Sequence, residues 1–527
     1  MTFTEAYWGS RWSNAIRLWA GATVLLAVAL PSVWIASASL FSGTADLINL
    51  FDGPFLGALK RSLWLLACVA GIALALGWPL GTVAGLVKFP LKRLGLLCLA
   101  IPLFTPTFLW AIGLSSFRAY LPYRHQSWFD GFSGCVLTSL VQVVPFVVLL
   151  TILALRTVSG SQADVACLAG GKRGLLRHAA RFAFPVSLCA AFLAGLMTLT
   201  DPGAAQIMGY HGIASEILIA FASRHDPHLA ARKALAATLV ILPFMTVLCW
   251  PIAKWAEGQV LGRELRRAEP LDPGRWGWLW WLACVLSIGC LVCPALAGLL
   301  RPLRLHFDEP LAYSLKVLRE TGLTTLFYGL TAAGMATALG AGAGLACRTR
   351  TSRLLLLLFA LLFFAVPPSL TALGVLFISS KSPPAFDGVS RSGWAVGLAC
   401  GLRFIPLAAV LCLYARSKLP VSQVHAAIMH RTPAASYFLQ VLLPWLRPAL
   451  MMAALLVALL SVADVSTTLL LQPPGETTYT GRIFGVLDNT TERVLAALCA
   501  VYLVAGAMSI GLVLILERFT RFRHHDT

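Results

Sequence analysis

The stretch Asp164-Val-Ala166-Cys-Leu-Ala-Gly170, closed by Phe184-Pro185, has a counterpart half the chain away in His425-Ala426-Ala427-Ile-Met-His-Arg431, closed by Val441-Leu-Leu443-Pro444. Each copy lies between two strongly apolar segments. The two starting residues are 425 − 164 = 261 positions apart in a chain of 527 residues. A polar loop that recurs at half the chain length predicts two related halves.

The composition indicates an integral membrane protein. Hydrophobic residues make up 58% of the chain and charged residues 12%, and the mean hydropathy is +0.80. Soluble domains carry about a quarter charged residues. About 20 consecutive apolar residues cross a bilayer as a helix, and twelve segments are long enough: 18–40, 62–87, 94–114, 135–155, 179–200, 234–253, 276–300, 323–347, 354–378, 394–415, 449–471 and 494–516. The expected fold is all-α, with about twelve transmembrane helices.

Charged residues predict the orientation, because Lys and Arg accumulate in cytoplasmic loops. With twelve spans and a cytoplasmic N-terminus, 25 basic and 8 acidic residues lie inside, against 16 basic and 14 acidic residues outside. The inner balance is +17 and the outer balance +2. Both termini and the polar stretch 257–275 are therefore predicted to be cytoplasmic. Topology thus explains the net charge of +19, and no nucleic-acid partner is expected.

Short matches outside the loops support the duplication. Their offsets lie between 256 and 263 residues, and they pair Phe51-Asp52-x-Pro54 with Phe307-Asp308-x-Pro310, Ala75-Leu76-Gly77 with Ala338-Leu339-Gly340, Pro106 and Ala111-Ile112-Gly113 with Pro367 and Ala372-Leu373-Gly374, and Asp201 with Asp464. Transporters are commonly built from such repeats. Six spans per repeat is an even number, so the halves 1–256 and 276–527 are expected to lie parallel in the membrane, joined by a linker at 257–275.

The repeated loop resembles the EAA loop of ABC importer permeases, in which Glu-Ala-Ala is followed after three residues by Gly and after nine more by Ile-x-Leu-Pro. The second copy has this spacing throughout, with His425 for Glu and Arg431 for Gly. The first copy has Asp164 for Glu, keeps Gly170 in register and places Pro185 two residues late. The resemblance implies the fold of a type I ABC importer permease, with both halves fused in one chain.

In that family the loop forms a short helix outside the bilayer, seated in a cleft of an ATPase subunit, with Gly at the turn that follows. Small residues permit close helix approach, and proline suits the first turn of the next membrane helix. The coupling role that the resemblance implies falls on Asp164, Ala166, Gly170, Pro185, His425, Ala426, Ala427, Arg431, Leu443 and Pro444. Unequal docking of the two loops is expected, because the second departs from the pattern. The alternative is a basic loop that merely connects two spans.

Three ionisable residues are candidates for the transport pathway. Asp201 and Asp464 occupy matching positions at the outer ends of the fifth and eleventh spans, and Arg403 lies inside the tenth. Ionisable groups near membrane depth are costly and tend to face cavities or partners. The alternative for the aspartates is a helix-terminal turn residue. For Arg403 it is a structural cation bonded to backbone carbonyls.

Motifs for catalysis are missing from the sequence. It has neither a G-x-x-x-x-G-K-[ST] phosphate loop nor an H-E-x-x-H motif. The cysteines lie mostly in apolar spans, where Cys usually behaves as a small hydrophobe. No enzyme activity, cofactor or metal site is expected. The implied partners are a pair of identical ABC ATPase subunits on the cytoplasmic side and a periplasmic substrate-binding protein, with the chain itself in a bacterial inner membrane.

A second resemblance concerns the cargo. The stretch Leu469 to Ile483 has leucines before Pro473-Pro474-Gly475 and Arg482-Ile483 after it, which is similar to ferric-iron importer permeases. This resemblance implies Fe(III) as cargo, with thiamine, a phosphonate or a polyamine as alternatives in the same class. The rival from another class is an ion-coupled secondary transporter, which predicts ionisable relay residues deep in the spans.

Overall fold

The computed structural model describes residues 53–88, 92–261, 277–304, 308–363, 366–380, 392–487 and 489–525, together with Trp19 and Gly388. The regular elements in these ranges are helices, which confirms the all-α class. Nine of the described helices are long and apolar enough to cross a membrane, or up to eleven if each of two bent helix pairs counts as one span. The first predicted span, 18–40, lies outside the described residues apart from Trp19.

The described part of the first half forms a series of helices that alternate between long apolar segments and short connecting ones. They are α1 Gly53–Leu86, α2 Lys92–Ala100, α3 Thr107–Arg118, α4 Tyr123–Gln126, α5 Gly131–Leu155, α6 Gly160–Thr200, α7 Pro202–Ile207, α8 Ile213–Ala222 and α9 Pro227–Trp255. A one-turn π-helix, Ala256–Val260, extends α9.

The described part of the second half follows the same plan. Its helices are α10 Gly277–Leu300, α11 Asp308–Ala346, α12 Arg350–Phe363, α13 Pro368–Ser380, α14 Gly393–Ser417, α15 Val421–Met429, α16 Ala434–Tyr437, α17 Leu443–Ala463, α18 Val465–Leu471, α19 Tyr479–Gly485 and α20 Glu492–His525. In chain order, α1 corresponds to α11, α2–α3 to α12–α13, α5 to α14, α6 to α15–α17, α7 and α8 to α18 and α19, and α9 to α20. The sequence offset of 261 residues thus has a structural counterpart.

Glycines bring the longest helices of each half close together. A Cβ placed on Gly77 of α1 would lie 2.8 Å from the Cβ of Val147 on α5. A Cβ placed on Gly340 of α11 would lie 2.7 Å from the Cβ of Ala408 on α14. Small residues that let backbones approach are typical of helix interfaces in membranes. The matching Ala-Leu-Gly sequences therefore mark equivalent helix contacts.

Two spans predicted as single helices, 94–114 and 354–378, are bent pairs. Cys98–Phe104 meets Thr107–Arg118 at 105°, and α12 meets α13 at 95°. Pro106 lies in the first break, where its ring and missing N–H oppose a continuous helix. Hydropathy alone cannot detect such a bend, because the residues on both sides are apolar.

The eleventh span also differs from its prediction. It was expected at 449–471, but α17 ends at Ala463 and a separate helix, α18, starts after Asp464. The carboxylate of Asp464 accepts a hydrogen bond from the backbone N–H of Thr467, at 3.1 Å, so it caps the new helix instead of continuing the old one.

A hydroxyl at equivalent places anchors the short helices α8 and α19. The backbone N–H of Ile213 donates to Ser62 Oγ at 2.8 Å, and that of Tyr479 donates to Thr325 Oγ1 at 2.9 Å. These bonds satisfy helix N-termini that are buried away from water. Each half therefore fastens its short helices to its own long helix, α1 or α11.

Helix α10 belongs to the second half in sequence but packs on α3 of the first. A Cβ placed on Gly298 would overlap the carbonyl oxygen of Gly113 and lie 2.7 Å from the backbone nitrogen of Phe117. The two backbones are thus in direct contact. This crossing joins the halves inside the helical bundle.

A buried carboxylate joins the halves at a second point. Glu257 accepts from Arg353 Nη2 at 2.7 Å and from Arg350 Nε at 3.2 Å. Its side chain is 6% exposed. Glu257, the first residue of the predicted linker, is therefore packed against α12. Residues 262–276 lie outside the described ranges, so the linker stays a prediction.

Candidate functional site

The first copy of the repeated loop is a short helix followed by a sharp turn. Helix α6 opens with a capping box between Ser159 and Gln162. Its regular backbone is interrupted at Gly170 and Gly171, and Gly171 has φ of +59°, a conformation that glycine adopts far more readily than other residues. The remainder of the helix, 172–200, then runs without interruption. The predicted glycine at 170 thus belongs to the turn, but the left-handed residue is its neighbour.

Close packing holds this short helix against the start of the long segment. A Cβ placed on Gly174 would lie 2.5 Å from the carbonyl oxygen of Ala166. Around Gly170, in contrast, a Cβ would meet nothing within 4 Å. A Cβ at 170 would therefore point into open space.

The second copy has the same shape with different residues. Helix α15 ends at Met429, and Arg431 then adopts φ of +46°. Thr432 closes the turn, because its N–H and its hydroxyl both donate to the carbonyl oxygen of Ala427, at 3.1 and 3.0 Å. Arg431 is in register with Gly170, and it has the positive φ that in the first copy belongs to the next residue, Gly171.

The two prolines are placed differently. Pro185 was expected in the first turn of a membrane helix, and this is wrong, because it lies deep inside α6. Pro444 is at the start of α17, directly after α16 and a π-helix, Phe438–Leu442. A π-turn inserts an extra residue, which accommodates a proline that cannot donate to the carbonyl four residues earlier. Leu443, beside it, is partly exposed.

Both loops present a large apolar side chain at the same position. Leu168 is 88% exposed and Met429 is 83% exposed, and 429 − 168 is again 261. The residues at the head of the pattern, Asp164 and His425, are exposed as well, whereas Ala427 is buried. The two loops thus expose a large apolar side chain at equivalent positions.

Each loop is connected by one long helix to an aspartate. Residues 172–200 and 434–463 span about 43 and 45 Å at a rise of 1.5 Å per residue. They end directly before Asp201 and Asp464, which cap α7 and α18. The alternative interpretation of the aspartates, as helix-terminal residues, is therefore confirmed. It does not compete with a pathway role, since both residues also line a cavity.

Arg403 forms an ion pair with Asp464. Its Nη1 donates to Asp464 Oδ2 at 2.8 Å, and the two side chains are 12% and 6% exposed. The hydroxyl of Thr467 donates to the same oxygen at 2.8 Å. One interpretation of the sequence was that Arg403 is a structural cation bonded to backbone carbonyls. Its partner in the structure is instead the carboxylate of Asp464.

The first half has a different arrangement at the matching place. Asp201 accepts from the backbone N–H of Gly203 at 2.9 Å and from the hydroxyl of Thr107. The counterpart of Arg403 is Gln142, since 403 − 142 is 261. The Gln142 amide donates to the carbonyl oxygen of Thr105. Asp201 therefore has only neutral hydrogen-bond donors among the described residues.

Asp201, Arg403 and Asp464 line one cavity of about 320 Å³ between the halves. Residues of the bend 103–106 and of α3, α5, α6, α7, α13, α14, α17, α18 and α19 form its wall, which is largely apolar and includes Phe104, Phe108, Phe146, Phe404 and Phe484. Sequence reasoning found these three charged residues but not that they meet. A cavity with few polar groups on an apolar wall is the usual form of a small-molecule site.

Several residues of this site escaped the sequence analysis. Thr107 and Gln142 line the cavity, and Leu168 and Met429 mark the loops. The offset of 261 residues would have paired Gln142 with Arg403 and Leu168 with Met429.

The described part of the chain contains no group of three His, Cys, Asp or Glu side chains placed to hold a metal ion. Cys290 and Cys293 on α10 have C-x-x-C spacing, which the sequence analysis overlooked, and both are exposed. Two such residues supply only half of a tetrahedral thiolate site.

Comparison of the chain with models of protein families, with curated proteins and with solved structures finds no match.

Proposed function

We propose that this chain is the membrane permease of an ATP-driven, binding-protein-dependent importer of the type I ABC class, with both pathway-forming halves in one polypeptide. ATP would be hydrolysed by a separate pair of ATPase subunits on the cytoplasmic side. A periplasmic binding protein would deliver the cargo to the cavity between the halves. The bacterial inner membrane and cytoplasmic termini belong to the same proposal.

The observation that carries this proposal is a helical connection from an exposed loop to the cavity, which occurs once in each half. In each half, an exposed short helix leads through a left-handed residue, Gly171 or Arg431, into one long helix. That helix ends at an aspartate on the cavity. A partner that moved the short helices would act on the cavity from a distance of about 43–45 Å. A simple connecting loop has no need for this arrangement.

The matching surfaces support a partner made of two similar subunits. Leu168 and Met429 are almost fully exposed at equivalent positions. The surroundings differ, because His425 and Arg431 replace the acid and the glycine of the family pattern. Two identical ATPase subunits would thus find the same apolar contact on each half, with different charges beside it.

The coupling test uses the exposed residues. Gly170→Glu, Leu168→Asp and Met429→Asp should leave membrane insertion intact, reduce co-purification of the ATPase and abolish uptake. Tyr123→Asp is the matched control, since this side chain is 90% exposed but belongs to α4, on the predicted periplasmic side. Normal transport by the loop variants would show that the loops are ordinary connectors.

One observation favours a second candidate, the ion-coupled secondary transporter. Arg403, Asp464 and Asp201 share the cavity, and buried ionisable groups between membrane helices are typical of ion pathways. The two candidates differ in energy source. In vesicles, uptake that needs ATP and the ATPase subunit supports the importer, while uptake driven by an ion gradient without ATP supports the rival.

The cargo is a separate part of the proposal. The resemblance to ferric-iron permeases favours Fe(III), free or chelated, presented by the binding protein. Cells carrying or lacking this chain are compared for uptake of labelled ferric iron and labelled thiamine. Loss of thiamine uptake alone on deletion would refute the iron assignment and leave the permease proposal in place.

A further inference from the structure

We propose that the cavity binds a small organic cation, whose ammonium or guanidinium group pairs with Asp201 in the way that Arg403 pairs with Asp464. This inference rests on the proposed permease function but departs from its Fe(III) assignment, because it gives the cavity between the halves an organic cation, the class to which the polyamine alternative belongs.

Asp201 and Asp464 occupy equivalent positions but differ in the charge of their partners. Asp464 has a guanidinium at 2.8 Å. Asp201 stands at the equivalent place, but the residue that corresponds to Arg403 is the neutral Gln142. With both carboxylates ionised, the cavity holds two negative charges and one positive charge, so its net charge is −1. A buried carboxylate without a cation is unfavourable, and a cationic ligand would remove this cost.

The described residues supply no cationic hydrogen-bond donor to Asp201. Gln142 bonds to the carbonyl oxygen of Thr105 on the neighbouring bend, which draws its amide away from a role as partner of Asp201. Asp201 keeps one oxygen on Gly203 and the other on Thr107. A carboxylate has about four lone-pair positions, so acceptor capacity remains for a donor from the cavity.

The wall of the cavity is rich in aromatic rings. Five phenylalanines line the cavity, and cations are attracted to the faces of aromatic rings within about 6 Å. The chain contains its own example, because the guanidinium carbon of Arg403 lies 5.5 Å from the centre of the Phe404 ring. Such a wall suits an organic cation with apolar surface.

Size and donor set narrow the ligand further. The volume of about 320 Å³ lies at the lower end of the range of about 300–1,000 Å³ for small-molecule sites. An anion would meet a net negative charge. A bare metal ion would find two carboxylates, one of them already occupied by Arg403, and the described residues offer no third ligand of the usual kind.

The test measures binding to the purified permease with methylguanidinium and spermidine as probes, and with inorganic phosphate and Fe(III) citrate as competitors of other classes. Asp201→Asn keeps an oxygen for the N–H of Gly203 and places an amide NH2 beside Thr107, whose hydroxyl can accept from it, but it removes the charge. It should weaken binding of both cations at least about tenfold, since a hydrogen bond to a charged group contributes more than one factor of ten in affinity.

The second variant supplies the missing guanidinium from the protein. Gln142→Arg should pair with Asp201 and abolish binding of methylguanidinium, while Tyr123→Arg, which adds the same guanidinium at a 90% exposed position outside the cavity, should retain binding. Thermal melting of each variant shows whether it is folded. Equal binding of the cations by wild type and Asp201→Asn, retained binding by Gln142→Arg, or preferential binding of phosphate or Fe(III) citrate would each overturn the inference.

The test of the cation site and the test of the proposed function give separate results. ATPase association reports on the loops, and cation binding by the isolated permease reports on the cavity. A permease that couples to an ATPase but binds no cation refutes only the ligand class. A permease that binds cations but neither associates with an ATPase nor needs one for uptake refutes only the importer.

Discussion

Replacement of Arg403 by methionine tests the central ion pair. The side chain of Arg403 is 12% exposed and that of Asp464 is 6% exposed, with 2.8 Å between Nη1 and Oδ2. Methionine keeps the length and apolar body of the arginine but leaves the carboxylate without a cation. Asp464 then retains only its bonds from Thr467.

The expected loss of stability follows from this geometry. Removal of one partner of a buried pair typically costs about 3–5 kcal/mol, because it leaves an uncompensated charge. The two remaining bonds from Thr467 place Arg403→Met near the lower limit, at about 3 kcal/mol. Gln142→Met is the matched control at the equivalent position. It loses one neutral hydrogen bond to Thr105, which contributes about 0.5–1.5 kcal/mol.

The double variant Arg403→Met/Asp464→Asn completes the cycle. The introduced asparagine can still accept from the Thr467 N–H, and neither charge of the pair remains, so the stability of the double variant should lie within about 1–2 kcal/mol of wild type. The free energy of unfolding is measured for all variants in mixed detergent micelles by tryptophan fluorescence. If Arg403→Met cost no more stability than Gln142→Met, the ion pair would not stabilise this bundle. The same would follow if the costs of Arg403→Met and Asp464→Asn simply added in the double variant.

Three further predictions concern other parts of the chain. Reporter fusions after Arg275 and at the C-terminus should both register as cytoplasmic, and a periplasmic signal at either would refute the twelve-span topology. Gly298→Ala should destabilise the protein by about 1–3 kcal/mol or more, because its Cβ would overlap backbone of α3; Gly289→Ala on the same helix has its nearest contact at 3.8 Å and should melt like wild type. Gly171→Ala should cost about 1–3 kcal/mol, because φ of +59° with ψ of −152° lies in a region open essentially to glycine alone. Arg431→Gly, at φ of +46°, should be neutral or slightly stabilising, because glycine adopts a positive φ without steric cost. A rise in melting temperature for Gly171→Ala, or a fall for Arg431→Gly, would contradict this account of the two turns.

Apolar length was sufficient to predict the helical class and the approximate position of most described spans. The chain cannot satisfy its backbone in a bilayer except as helices or a closed barrel, so segments such as 135–155 and 394–415 coincide closely with α5 and α14. The breaks were not predicted. Apolar residues flank both Pro106 and Asp464, and a hydropathy average therefore runs across each interruption.

The cavity illustrates a different limit. Arg403 and Asp464 are 61 residues apart, and nothing in the local sequence of either residue indicates the other. Asp201 and Thr107 are 94 residues apart. Only the three-dimensional arrangement of bends and helix ends brings these groups together. The internal repeat contained part of this information, because it pairs Gln142 with Arg403.

Fusion of two halves gives a physical reason for that asymmetry. In a symmetric pair of identical halves, an arginine at the position of Arg403 would appear twice, and both aspartates would be neutralised by the protein. In a single chain the arginine occurs once, and Gln142 leaves Asp201 without a guanidinium. The cavity can then hold a net charge of one sign, which no symmetric set of ion pairs provides. The same independence applies at the loops, where Arg431 takes a left-handed conformation that glycine takes in the other half. A cavity between duplicated halves with one unmatched carboxylate is thus better suited to recognising a cation than a strictly symmetric one.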